Sequence, residues 1–321
     1  MIKALPLSVL ILFATTCGLD AQTGYQLSDT PHRVRATQVS SPVNGGWLSE
    51  PSGEPGLAFT IQDQTGAEAT GHQGAGGGAA GGSSDAVKQS QNPIASLVSA
   101  PIQNNWNFGV GPDDLTQYIG LVQPVVPLRI NSRLNFITRP ILPLVNSPDG
   151  SIGRNHGLGD MQWQNFFVPV PDQPSKLTWG IGPSFIMPTA SNPSLGAQRW
   201  GVGVSGVAVY VDGPVVGGLL INQNFTEGGF SQPFFLQPFY NYNFTKGILK
   251  GFFLSASGEF QADWKQDGNQ WNNILGIGPG RGIKLFGQPM SITTRFAPYL
   301  NSAPGGPNWQ FRLVIVALFP K

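Results

Sequence analysis

The chain has 321 residues, a formal net charge of +1 and only 11% charged residues, where soluble domains usually carry about 25%. Its 43 glycines and 28 prolines make up more than a fifth of the sequence. Near-neutrality removes the basic field that nucleic-acid binding needs, and the scarcity of charge is unlike a cytosolic enzyme.

Met1 to Ala21 has the pattern of a secretory signal peptide: Lys3, an apolar core from Leu5 to Thr16, and Leu19-Asp20-Ala21 as the cleavage site. The core is too short to span a bilayer. The single cysteine, Cys17, is either discarded with the signal or acylated, and Ala14-Thr15-Thr16 is a poor match to a lipoprotein box. Residues 22–91 are low in aromatics and include the tract Gly71 to Ser84, rich in Gly, Ala and Ser. Such a segment buries too little apolar surface to offset its chain entropy, so it is expected to be a disordered periplasmic leader.

Asn92 opens a different regime, and residues 92–321 read as a β-barrel. Apolar and polar residues alternate with period two. Ile102, Trp106 and Phe108 oppose Gln103, Asn105 and Asn107; Met161, Trp163 and Phe167 oppose Asp160, Gln162 and Gln164. The clearest run is Phe252–Trp264, where Phe252, Leu254, Ala256, Phe260 and Trp264 oppose Ser255, Ser257, Glu259, Gln261 and Asp263. Further strands are expected at Thr116–Val126, Arg133–Ile141, Leu177–Met187, Trp200–Val211, Val215–Asn222, Phe234–Phe244, Trp271–Pro279 and Pro289–Tyr299. The chain ends in Trp309 to Phe319, one parity of which is wholly apolar and which finishes on an aromatic residue. About twelve strands result, an even number as a single-chain bacterial barrel requires.

Loop lengths agree. Long connections (Leu142–Gly159, Pro188–Arg199, Gln223–Pro233, Leu300–Asn308) alternate with short ones (Leu128–Ser132, Val170–Lys176, Asp212-Gly213, Thr245–Gly251, Gly282–Gln288). Short periplasmic turns and longer outer loops, with both termini periplasmic, give this alternation. Trp106, Trp163, Trp179, Trp200, Trp264, Trp271, Trp309, Tyr118, Tyr210, Tyr240, Tyr242 and Tyr299 fall mainly near strand ends, as two interfacial girdles would. The fold class is therefore all-β, a transmembrane antiparallel barrel preceded by a leader.

Chemistry is sparse. Of three histidines, His32 and His72 are in the leader and His156 is in the longest loop; a lipid hydrolase would need His156 beside a Ser and a carboxylate. Too few ligands exist for a histidine–cysteine metal site, and no cofactor is expected. Gly201-Val202-Gly203-Val204-Ser205-Gly206 spells the dinucleotide fingerprint but opens no helix. Gly111-Pro112-Asp113-Asp114 reads as a turn, the alternative being a loop that offers two carboxylates to Ca²⁺. The candidate functional residues are charges on the inward parity: Arg133, Arg139, Asp160, Glu259, Asp263, Arg295 and Arg312. An arginine facing mid-bilayer lipid costs about 2–4 kcal/mol, so these charges point into the lumen, as an internal ion-pair network or as the lining of a polar path.

The block Asn104 to Asp114, with Gln123-Pro124-Val125-Val126-Pro127, Gly157-Leu158-Gly159-Asp160, Trp179-Gly180-Ile181-Gly182-Pro183, Leu236-Gln237-Pro238-Phe239 and Gly305-Gly306-Pro307-Asn308-Trp309, resembles bacterial outer-membrane proteins catalogued as "neuromedin U". These are similar to the transporters associated with the meta-pathway of phenol degradation. The resemblance covers Asn92 to Lys321 and implies an outer-membrane channel or uptake porin for small molecules, aromatic or apolar compounds among them. Its partners would be outer-membrane lipid, small solutes, and the assembly machinery acting through the strand Trp309 to Phe319. The alternatives are a closed structural or surface-interaction barrel and, more remotely, a barrel lipid hydrolase.

Overall fold

The computed structural model describes residues 87–149, 153–227, 233–264 and 270–319. The signal segment and the leader up to residue 86 lie outside the described residues. The strands are β1 (Val98–Val110), β2 (Leu115–Val122), β3 (Val126–Arg129), β4 (Leu134–Asp149), β5 (Gly153–Leu158), β6 (Met161–Pro169), β7 (Leu177–Met187), β8 (Gly201–Asp212), β9 (Val215–Thr226), β10 (Pro233–Asn243), β11 (Phe252–Asp263), β12 (Trp271–Leu285), β13 (Gln288–Asn301) and β14 (Trp309–Phe319).

Sequential neighbours pair antiparallel along most of the sheet, β1 pairs with β14, and a β2–β4 pairing completes the circuit. The fourteen strands fill twelve wall positions, because β4 is long enough to have two partners on each side. On one side β2 pairs with Leu142–Asn146 and β3 with Asn135–Thr138. On the other, β5 pairs with Leu144–Asp149 and β6 with Leu134–Ile141. The result is a closed twelve-position antiparallel barrel.

Two expectations change here. The expected strand Thr116–Val126 ends at Val122 and resumes as β3; Pro124 has no N–H to give the ladder. Much of the expected loop Leu142–Gly159 is strand, the hairpin of β4 and β5. Its prolines and glycines have the composition of a loop, but they sit at the rim, where the ladder has a free side.

Even residues of β14 and odd residues of β11 and β13 point inward and are mostly buried, while most of the opposite parity is half-buried or exposed. The outer face carries apolar side chains such as Ile181, Val204, Ile221, Leu275 and Ile277. Aromatic pairs mark its rims: Phe108 stacks on Trp309 with centroids 4.1 Å apart, and Trp264 meets Trp271 edge-on at 5.7 Å. Each such pair adds about 0.5–1.5 kcal/mol beyond its buried area. Tyr299 departs from the expected girdle, since its hydroxyl donates to Asn107 Oδ1 at 3.2 Å inside the lumen.

Inside, a buried apolar layer of Val125, Ile137, Phe166, Val168, Val207, Val209, Val216, Leu220, Phe235 and Phe239 covers part of the wall. A second apolar group, Val314, Val316 and Leu318, lies on β14. Between and beside them runs a belt of amides, hydroxyls and charges, with Gln237 between Phe235 and Phe239, and Ser291 and Thr293 opposite Val316 and Val314.

Candidate functional site: the barrel lumen

The belt is a chain of hydrogen bonds around the inner wall. Starting at β6, Arg139 Nη1 donates to Gln164 Oε1 at 3.1 Å, and its Nη2 donates to Gln123 Oε1. Gln123 Nε2 donates to Gln103 Oε1 at 3.4 Å, and Gln103 Nε2 to Asn105 Oδ1 at 3.1 Å. Asn105 Oδ1 also accepts from Arg312 Nε at 2.5 Å. On the other flank Gln162 Nε2 donates to Asn222 Oδ1 at 3.2 Å, and Asn222 Nδ2 donates to Ser184 Oγ and Ser205 Oγ at 2.8 and 2.6 Å. Asn105, Gln164, Ser184, Ser205, Asn222, Gln237 and Arg312 are all 0% exposed. These side chains are packed against one another.

The ion cluster sits within this belt. Arg295 on β13 and Arg312 on β14 are direct cross-strand partners, an arrangement that is repulsive by itself. Both reach one carboxylate on β11, Arg295 across β12 and Arg312 across β13 and β12. Arg312 grips Glu259 with two bonds, Nη1–Oε1 at 2.6 Å and Nη2–Oε2 at 3.1 Å, and Arg295 Nη1 lies 2.5 Å from the same Oε1. Arg295 also donates to Ser257 Oγ at 2.7 Å and Gln310 Oε1 at 2.8 Å. The crossing requires a strand without side chains beneath it. A Cβ on Gly276 of β12 would lie 2.8 Å from Arg295 Cγ.

Residues 87–97, which precede β1, pack into the mouth where β1 begins and β14 ends. Val87, Gln91, Asn92, Ile94, Ala95 and Leu97 are buried. Ile94 belongs to the apolar layer, and Ala95 and Leu97 pack on Val314, Val316 and Leu318. Gln91 and Asn243 exchange amide hydrogen bonds of 2.8 and 3.1 Å, and Lys88 Nζ donates to Gly213 O at 3.2 Å. Gly282 on β12 leaves the space Val87 occupies, for a Cβ there would overlap Val87 Cγ2. Overpacking of this kind costs about 1–3 kcal/mol. Gly282→Val should therefore loosen the segment while the barrel stays folded. Trypsin cleavage after Lys88 reports it, with an expected acceleration of about tenfold, since cleavage follows the population of the open form.

At the opposite mouth the loop between β7 and β8 folds inward, burying Ala190, Leu195 and Ala197. Asp160 holds it: Oδ1 accepts from Ala190 N at 3.0 Å and Oδ2 from Gln198 N at 2.9 Å. Burial pushes the Asp160 carboxyl up, and backbone N–H groups of the loop pull it back. Thr189 Oγ1 donates to Gly159 O and accepts from Met161 N, which stitches the loop to the break between β5 and β6.

Of the seven charges singled out by parity, Arg139, Glu259, Arg295 and Arg312 lie in the belt, with the last three in direct contact. Asp160 is buried but serves the far-mouth loop. Asp263 is half-buried at the end of β11, and Arg133 is exposed in the turn before β4. Residues 87–91, expected in the leader, lie inside the barrel mouth. Their signal was faint, single apolar residues spaced among polar ones. His156 is exposed on β5, and its side chain has no hydrogen-bond partner among the described residues, so no Ser–His–carboxylate arrangement forms around it there. The described residues hold no group of three metal-ligating side chains.

No protein-family profile matches the chain, and no curated protein does. Among solved structures it is similar to the COG4313 outer membrane channel from Pseudomonas putida F1, with a TM-score of 0.53 at 14% identity over 70% of this chain and 96% of that one. The chain folds as an outer-membrane β-barrel. At that identity the likeness speaks for the fold alone. The outer membrane phospholipase A from Escherichia coli aligns at TM-score 0.39 and 10% identity, over 69% of this chain and 96% of its own. A BenF-like porin from Pseudomonas fluorescens Pf-5 aligns at 0.34 and 9%, over 70% and 97%. At those scores neither bears on what this outer-membrane barrel does.

Proposed function

We propose that the protein is a bacterial outer-membrane channel for small molecules, with both termini in the periplasm and a resting state closed by residues 87–97. The observation that carries this reading is the nature of the closure. The mouth at the termini is stopped by a segment outside the wall, held through a few hydrogen bonds and one apolar face, so it can leave without breaking the barrel ladder. Behind it the wall presents amides, hydroxyls and arginines, a lining that water and solutes can hydrate once admitted. A barrel needed only for support could fill its interior with apolar side chains at less desolvation cost. The tight packing of the belt favours a second reading, a closed structural barrel.

Planar-bilayer recording of the purified full chain separates the two. Rare discrete conductance steps are expected from the wild type, with longer open times in Gly282→Val. A folded, inserted barrel that passes no current in either form would overturn the channel reading and leave the structural one.

A further inference from the structure

Arg281 interrupts an apolar stretch of the outer wall. It shares the outward parity of β12 with Leu275 and Ile277, and like them it is exposed. Its direct cross-strand partner is Phe252, the first residue of β11, and its guanidinium carbon lies 4.6 Å from the centroid of that ring. Beyond this ring contact Arg281 makes no hydrogen bond or ion pair among the described residues. An arginine on the lipid-facing parity is costly at the bilayer midplane and cheap at the interface, where phosphate is at hand. The headgroup level is the place on the wall that relieves this cost.

The turn just before Phe252 adds two more cations. Between β10 and β11 the chain runs Lys246-Gly247-Ile248-Leu249-Lys250, with both lysines exposed and Ile248 99% exposed. The neighbouring turn between β12 and β13 repeats the pattern in Lys284, Leu285 and Phe286, whose ring is 100% exposed. From Pro233 to Asn301 the acids among the described residues are Glu259, inside the belt, and Asp263, at the opposite end of β11. Cations and bare apolar side chains therefore stand together on two adjacent hairpin ends, with no acid on either. Water would leave the apolar tips wet, and a purely apolar surface would strand the lysines. A phospholipid leaflet suits both, because its acyl boundary takes the apolar side chains and its phosphates take the cations.

We propose that this corner of the barrel is a binding site for anionic phospholipid, its phosphate engaged by Arg281 with Lys246 and Lys250 and its acyl chains lying along Leu254 and Ile277. A guanidinium offers phosphate a forked pair of N–H donors, which a carboxylate would otherwise have claimed. The Phe252 ring attracts that guanidinium and positions it on the wall before lipid arrives. Ile248, Leu249 and Phe286 enter the boundary between headgroups and acyl chains. The occupant is a lipid rather than a soluble acidic protein, because Arg281 lies on the parity that faces the bilayer. The site is independent of whether the lumen conducts.

Native mass spectrometry of the purified full chain in detergent tests the site, with dioleoylphosphatidylglycerol, dioleoylphosphatidylcholine or inorganic phosphate added. The phosphatidylglycerol should be retained at concentrations at least about tenfold below the phosphatidylcholine, since three cations answer its net charge. Inorganic phosphate, which has no acyl chains, should be retained more weakly still. Arg281→Gln should raise the phosphatidylglycerol concentration needed by about fivefold. Lys250→Gln, in the turn and outside the ladder, should act in the same direction, which keeps the test open should Arg281→Gln fail to fold. Arg133→Gln, in the turn before β4, should change nothing. Equal retention of the two lipids overturns the proposal, as does retention of inorganic phosphate equal to that of phosphatidylglycerol. So does an Arg133→Gln effect as large as that of Arg281→Gln, which would reduce the site to diffuse surface charge.

Discussion

Glu259→Gln should destabilise the barrel by about 3–5 kcal/mol, the usual cost of removing one partner from a buried ion pair. Glu259 is 2% exposed and is the carboxylate on which Arg295 and Arg312 converge. The amide keeps one acceptor oxygen and loses the charge that offsets two guanidinium groups placed directly opposite one another on β13 and β14. Urea titration of the barrel in lipid vesicles reads the loss. The double variant Glu259→Gln with Arg312→Gln should lose less than the sum of the two single changes, by a coupling of about 1.5 kcal/mol or more. If the two changes add, the cluster is not a coupled unit. Any folded Glu259→Gln barrel should also be more anion-preferring than the wild type, because the removed charge was the belt's negative one. A merely structural ion pair would not move that readout.

The same cluster shows which parts of the site were legible in the sequence. Strand parity puts Glu259, Arg295 and Arg312 on the inner face, because a period of two admits only two faces and lipid rejects charge on one of them. Parity gives the face and leaves the height open. Arg133 and Arg139 share a parity, yet Arg139 is sealed in the belt while Arg133 sits in the turn. The contacts from Arg295 and Arg312 to Glu259 cross one and two strands respectively, and Gly276 leaves room for the Arg295 side chain. No local pattern encodes a side chain lying across a neighbouring strand. Asp160 reads as lumenal by parity, but the break between β5 and β6 and the inward fold of a loop some thirty residues on turn it into a loop anchor.

The barrel itself was the most legible feature. Phe252–Trp264 alternates cleanly because one side meets lipid and the other meets amides, and β11 spans nearly the same residues. The exceptions have a common cause. Pro124 interrupts a strand that hydropathy carries through, and the prolines and glycines of the β4–β5 hairpin hide a strand that extends the ladder at the rim. In both places the backbone's hydrogen-bonding capacity, rather than hydrophobicity, decides where pairing stops.

The second large effect is expected from Ile94→Asp, which should convert rare openings into sustained conduction. Ile94 is 3% exposed and packs within the apolar layer among Val125, Ile137, Phe166 and Phe239. A carboxylate at that place has no charged partner in the layer, and an isolated buried charge costs several kcal/mol. The barrel has a way to avoid that cost. The segment is fixed by Ile94, by the Ala95 and Leu97 contacts with β14, and by the Gln91–Asn243 and Lys88–Gly213 hydrogen bonds. Exchanging those few bonds for bonds to water costs little each, because folding already trades one set for the other. The ladder of the wall, by contrast, has no water to turn to within lipid. The penalty of the introduced carboxylate should therefore fall on residues 87–97 alone. Its signature would be a folded barrel, unchanged in urea titration, with fast trypsin cleavage after Lys88 and an open-state occupancy raised by orders of magnitude. Ile94→Val, which keeps the segment apolar at a cost of about 0.5–1.5 kcal/mol, should leave the channel mostly shut. If Ile94→Asp instead unfolds the barrel, residues 87–97 are part of its core rather than a removable stopper. If it frees the segment without raising the current, the belt alone seals the lumen, and the gate would lie among the interlocked amides and arginines.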